Sequence, residues 1–204
     1  GIHSPSTSTE DTVVELVQYW KDTTERTYFQ DAADVYRSVG ANGNLGALYA
    51  GNTYNMSDVN AGNYRFEGIN IDLSGAKSFT MEGTVNVPSL KDSESRVAFV
   101  PVIADSKPIM ASVQWNGSTT HDGHPFIWTS YDNSTATDAA WGINYDCTNG
   151  ITFKMRVTTT ATSVKLYVND ELVLTKDLTG FTDIQPILMV YMRRSYATVS
   201  DMKI

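Results

Sequence analysis

The chain has 204 residues, 41% of them hydrophobic, and sets 15 Lys and Arg against 23 Asp and Glu for a formal charge of −8. Basic residues this few and this scattered exclude a nucleic-acid partner, which needs them gathered on one face, and no apolar run approaches the roughly 20 residues that insert into a bilayer. The length suits one large domain with a sizeable core. Cys147 is the only cysteine, so no internal disulfide forms, and without a neighbouring base it reads as a small inert apolar residue.

Gly1-Ile2-His3 followed by Ser4-Pro5-Ser6-Thr7-Ser8-Thr9 reads as a cleaved-tag remnant and linker. Residues 1–11 are therefore expected to lie outside the fold, with 12–204 a single β-sandwich domain carrying an N-terminal extension over 12–41. The Thr-, Ser- and Asn-rich, acidic composition suits a secreted or cell-surface bacterial protein with further domains in a larger parent chain. The Asn55, Asn116 and Asn133 sequons then read as polar turns.

Thr12 and Glu15 fit a capping box, and Val13, Leu16, Val17 and Trp20 share one helical face, which predicts a short helix. A second helix is predicted from Thr27 to Val39, with Gly40 as its stop. The alternative is an irregular lead-in whose aromatics tuck under the sheets. Asn42 to Asn63 is rich in Gly and Asn, the composition of turns, interrupted by the apolar Leu45–Ala50.

Strand patterns follow. Tyr64 to Leu73 is joined through the Ser74–Lys77 turn to Phe79, Met81, Gly83, Val85 and Val87, which alternate with polar residues. Arg96 to Ala104 is almost continuously apolar, and its Pro101 demands an edge or a bulge. Ile109 to Trp115 comes next, then a long polar loop region to Asp146. Ile151, Phe153, Met155 and Val157 alternate again, as do Val164, Leu166 and Val168 before Asn169-Asp170. A three-residue connection, counting Glu171 as loop, would pair Val168 with Leu172 and Leu166 with Leu174 on one apolar face. Ile187 to Met192 reads as a central strand covered on both sides, and Thr198 to Ile204 closes the chain. About ten strands with short turns predict an all-β fold, an antiparallel two-sheet jelly-roll sandwich.

The runs Asn149–Val157, Val164–Val173 and Val199–Ile204 resemble the C-terminal half of concanavalin A-like lectin/glucanase domains, most of all the laminin-G-like and bacterial carbohydrate-binding modules. The resemblance extends from Tyr64 onward and implies a jelly roll that hosts sugar binders, hydrolases, lyases and spacers alike. The hydrolases of this fold carry acidic residues at alternating positions of one strand. No such strand is present, and Asp92 with Glu94 reads as a solvated turn, so the resemblance points away from catalysis.

The segment from Trp115 to Asp146 holds Trp115, Trp128 and Trp141, with Tyr131, Tyr145, His121, His124 and four aspartates. Flat aromatics beside planar polar groups are what a sugar site requires. The candidate glycan-binding residues are Trp115, His121, Asp122, Trp128, Tyr131, Trp141 and Arg193. Against this stands the ordinary role of buried tryptophans in a core. His121-Asp122-Gly123-His124 has zinc-ligand residue types without a visible third ligand. Asp122, Asp132, Asn133 and Asp138 would suit calcium, as the resemblance implies. Arg193-Arg194 would meet an acidic sugar, with Arg65 and Glu67 on the same face. The sequence thus reads as a non-catalytic carbohydrate-binding module, the alternatives being a structural or adhesion domain and a polysaccharide hydrolase or lyase.

Overall fold

The computed structural model describes residues 16–21, 46–49, 54–55, 64–70, 78–87, 95–105, 107–115, 121–128, 137–193 and 198–203. Every regular element among them is a strand. The N-terminal half supplies β1 (Leu16–Lys21), β2 (Gly46–Tyr49), β3 (Tyr54–Asn55), β4 (Tyr64–Asn70), β5 (Ser78–Val87), β6 (Ser95–Ala104) and β7 (Lys107–Trp115). The rest are β8 (Asp122–Trp128), β9 (Thr137–Ala139), β10 (Tyr145–Asp146), β11 (Ile151–Thr160), β12 (Ser163–Val168), β13 (Glu171–Asp177), β14 (Ile184–Arg193) and β15 (Thr198–Lys203). They form a nine-stranded sheet, β10-β8-β7-β6-β14-β4-β1-β2 with β9 beside β8, and a six-stranded sheet, β13-β12-β11-β5-β15-β3. Every ladder is antiparallel. The architecture is the expected all-β sandwich of two antiparallel sheets.

The two sheets meet through their alternating apolar residues. Val97, Phe99, Ala111, Val113 and Ile127 of the large sheet pack with Met81, Val85, Phe153, Met155, Val157 and Leu166 of the small one in a single cluster. Each large side chain so buried contributes about 1.5–3 kcal/mol. Ala98, Val100, Met110, Phe126 and Trp128 are buried as well but lie outside that cluster. The large sheet therefore buries a second, outer face, which explains why the sequence of β6 reads as continuously apolar. Pro101 sits at an irregularity, where the β6/β7 register shifts between Phe99 and Val102. The lost N–H is absorbed by a bulge inside the sheet, not by an edge position.

Three expectations are corrected. The predicted helix from Thr12 to Trp20 gives way over residues 16–21 to β1, which pairs with both β2 and β4; ladder pairing overrides the helical spacing of Leu16, Val17 and Trp20. The second predicted helix, Thr27 to Val39, lies outside the described residues. The hairpin after Val168 has the two-residue loop Asn169-Asp170, both residues at positive φ (51° and 67°), and pairs Val168 with Glu171. That is a type I′ turn, whose twist matches the strands. A bulge between Leu166 and Tyr167 then restores the expected Leu166–Leu174 pair. Finally, the polar region from Trp115 to Asp146 contains three strands, β8, β9 and β10.

Candidate functional site

The outer face of the large sheet holds a cross-strand row of polar residues. Arg96 on β6 stands opposite Gln114 on β7, and Gln114 stands opposite His124 on β8. Directly opposed residues point to one face, so the guanidinium, carboxamide and imidazole form one line. On the other side of Arg96, Arg193 occupies the opposing position of β14. One row further along, Ser112 donates its hydroxyl to the Phe126 carbonyl at 3.5 Å.

Pro125 interrupts the edge of β8. It falls between the Phe126–Ala139 pair made with β9 and the Gly123–Tyr145 pair made with β10. Lacking an N–H, it cannot extend the ladder outward, and the chain bulges there as a turn. Ala140 N–H donates to the Pro125 carbonyl at 3.1 Å, and Ile143 N–H to the Ala140 carbonyl at 3.0 Å. Trp141 at the turn tip is 67% exposed. Its indole meets Phe126 edge-on (5.1 Å, 85°) and His124 at 5.1 Å and 61°.

His124 fixes this turn. Its Nδ1 lies 2.7 Å from the Ile143 carbonyl and its Nε2 lies 3.2 Å from an Asp122 carboxylate oxygen. A carbonyl only accepts, so Nδ1 carries a proton by assignment from the network. Nearby, His121 has φ 53° and accepts the Cys147 N–H at 2.8 Å, while its Nδ1 is buried without a partner. The Thr148 hydroxyl and N–H, with His121 nearby, hold the Asp146 carboxyl below its ordinary range. Burial pushes the Cys147 thiol up to about 11, so the thiolate that would make it reactive is suppressed. Burial likewise raises the Tyr145 phenol to about 12.

The expected site residues divide. Asp122 and Trp141 lie together with His124, and His121 precedes Asp122 on the same segment. Trp128 is 7% exposed, stacked on Phe126 at 5.9 Å and capped by the Arg96 guanidinium 4.4 Å from its ring centre. It is a wall of the site, not an open platform. Trp115 ends β7 at the register position of Ser95 and Gly123, not in the row of Gln114 and His124. Arg193 joins the polar row by register, whereas Arg65 and Glu67 stand opposite Met192 and Val190, out of that row. Tyr131, Arg194, Asp132 and Asn133 lie outside the described residues. Of the calcium candidates, Asp138 instead pairs with Lys176 of the other sheet at 3.4 Å. Among the described residues no group of three or more His, Cys, Asp or Glu could hold a metal.

Arg96, Gln114 and Phe126 escape a reading of the sequence. Arg96 looks like the polar start of an apolar strand, and Gln114 like its ordinary alternation partner. The signal that would have found them is register: only pairing β6, β7 and β8 puts them in one row with His124.

No family model and no curated protein matches the sequence. Solved structures match its fold. The CBM2 module of the evolved Dit of Lactobacillus casei BL23 phage J-1 aligns at TM-score 0.50 and 14% identity over 92% of this chain and 95% of that one. The carbohydrate-binding module CBM66 from Bacillus subtilis aligns at 0.48 and 12% over 90% and 92%. The PL7 alginate lyase AlyA1 from Zobellia galactanivorans aligns at 0.45 and 12% over 91% and 93%. Botulinum neurotoxin receptor-binding domains match too, this chain spanning about half of their length. Identities this low speak to fold alone. No helix among the described residues is long and apolar enough to cross a membrane.

Proposed function

We propose that the chain is a non-catalytic carbohydrate-binding module of a secreted or cell-surface bacterial protein, with its glycan site on the outer face of the large sheet at the Trp141 edge. One observation carries the reading: an indole 67% exposed, held by a fixed turn beside the polar rim of His124 and Asp122. An indole face receives the C–H patches of a pyranose ring, and a rim of charged and amide groups meets its hydroxyls. The Phe126 ring behind it and the His124 bond to Ile143 keep the platform in place before any ligand arrives, which lowers the ordering cost of binding.

The test is affinity electrophoresis against a panel of soluble polysaccharides, run with calcium and with chelator. Retention by at least one polymer is expected, weakened at least tenfold in Trp141→Ala with no change in Tm. Failure of every polymer to retard the wild-type chain overturns the reading. An imidazole facing a carboxylate, as His124 faces Asp122 at 3.2 Å, would also serve acid–base chemistry. Release of sugar fragments in the same mixtures would therefore replace the binding module by a hydrolase or lyase.

A further inference from the structure

We propose that the polar row forms a subsite for a carboxylate-bearing sugar, so that the glycan bound here is acidic; this rests on the glycan reading above. Arg96 is the residue that demands it. Its side chain is only 2% exposed, yet Nε and Nη1 have no hydrogen-bond acceptor. Arginine does not deprotonate in proteins, so the charge stays and cannot be relieved as a buried lysine would relieve it. Nε and Nη1 belong to the two different edges of the guanidinium, so each edge keeps an open donor.

Among the described residues no carboxylate forms an ion pair with Arg96. Its cross-strand neighbour on β7 is the uncharged Gln114. The guanidinium carbon lies over the Trp128 ring, 4.4 Å from its centre, and the open donors on its edges suit a planar oxyanion bound by paired bonds. Beside it the Gln114 Oε1 is buried without a donor, a place for a sugar hydroxyl. One ligand that satisfies both is a ring bearing hydroxyls and a carboxylate. Exposure rises along the row toward β8, from Arg96 through the half-buried Gln114 to His124 and Asp122, whose side chains are 14% and 30% exposed, and on to Trp141. A chain lying on Trp141 would thus reach inward with its acid group.

The experiment compares one polyuronate with its carboxyl-reduced, neutral counterpart by isothermal titration, adding a sulfated neutral polymer as a third probe. The wild-type chain is expected to bind the polyuronate at least tenfold tighter than the reduced polymer. Arg96→Met, which keeps a stem over Trp128 but no donors, is expected to abolish that preference while its urea midpoint holds or rises. Should the variant not fold, the wild-type comparison decides alone. Equal affinity for the acidic and reduced polymers overturns the inference and leaves the glycan reading standing. Preference for the sulfated probe over the polyuronate overturns the carboxylate assignment. Binding to none of the three, together with a negative panel, removes both.

Discussion

Two tryptophans in one short stretch of sequence do opposite work. Trp128 is buried against the Phe126 ring and the Arg96 guanidinium, whereas Trp141 meets His124 and Phe126 edge-on and leaves most of its surface to solvent. Truncating Trp128 deletes a large buried ring and uncovers a charge, and Trp→Ala in such places costs about 3–5 kcal/mol. Trp128→Ala is therefore expected to lower the urea midpoint sharply, while Trp141→Ala leaves it within the scatter of surface substitutions, about 0.5 kcal/mol. Equal losses in the two variants would make Trp141 part of the scaffold and remove the platform from the glycan reading. Composition put both residues in one candidate site; only burial separates wall from platform.

At the scale of the strand, legibility follows how many faces are buried. β11 and β12 bury one face, so Phe153, Met155, Val157, Val164, Leu166 and Val168 show the two-residue period in sequence and are all buried. β6 buries both faces, and the period vanishes along with any hint that Arg96 belongs to a row. β8 hides behind Gly123 and Pro125, residues that argue against a strand unless the gap between β9 and β10 is known. The hairpin register was legible in its apolar pair and not in its loop, because a bulge reconciles the two. Gly83 in the middle of β5 shows how tightly the sheets close. A Cβ there would lie 2.8 Å from Val199 Cγ1 and 3.4 Å from Phe99 Cζ. Val199 is fully buried and β-branched, so it has no free rotamer to take. Gly83→Ala is expected to destabilise by about 1–3 kcal/mol, as overpacking does. In a double-mutant cycle the cost should shrink when Val199→Ala is also present. Additive effects of the two changes would show that the contact is not the cause.

For the whole molecule, stability should be bounded on both sides by pH, and groups of both kinds sit side by side, Asp146 between Tyr145 and Cys147 and Asp170 bonded to Lys154 at 2.8 Å. Four turn aspartates have lowered pKa values. Asp105 accepts the backbone N–H groups of Asp183 and Thr182, Asp146 the Thr148 hydroxyl and N–H, Asp170 bonds from Lys154 and Arg156, and Asp177 the Thr179 N–H. Depressed acids bind fewer protons folded than unfolded. Their stabilisation is present above the ordinary value of 3.8 and is lost as pH falls below it. On the alkaline side Cys147 moves from 9.0 to about 11 and Tyr145 from 10.0 to about 12 through burial, and the bond Lys154 donates to Asp170 raises Lys154 above 10.5. Raised groups hold their protons longer when folded, so their stabilisation is complete below the unfolded values and drains away as pH rises through the folded ones. Urea midpoints should therefore be level between about pH 5 and 8, falling in acid and again in alkali. Cys147 titrates first on the alkaline limb. Cys147→Ala is accordingly expected to flatten the loss between 9 and about 11, and Asp170→Asn to match the wild type in acid while falling short of it at neutrality. A Cys147→Ala profile that keeps the full early alkaline loss would move that limb to Tyr145 and Lys154 and show that the buried thiol is silent in folding.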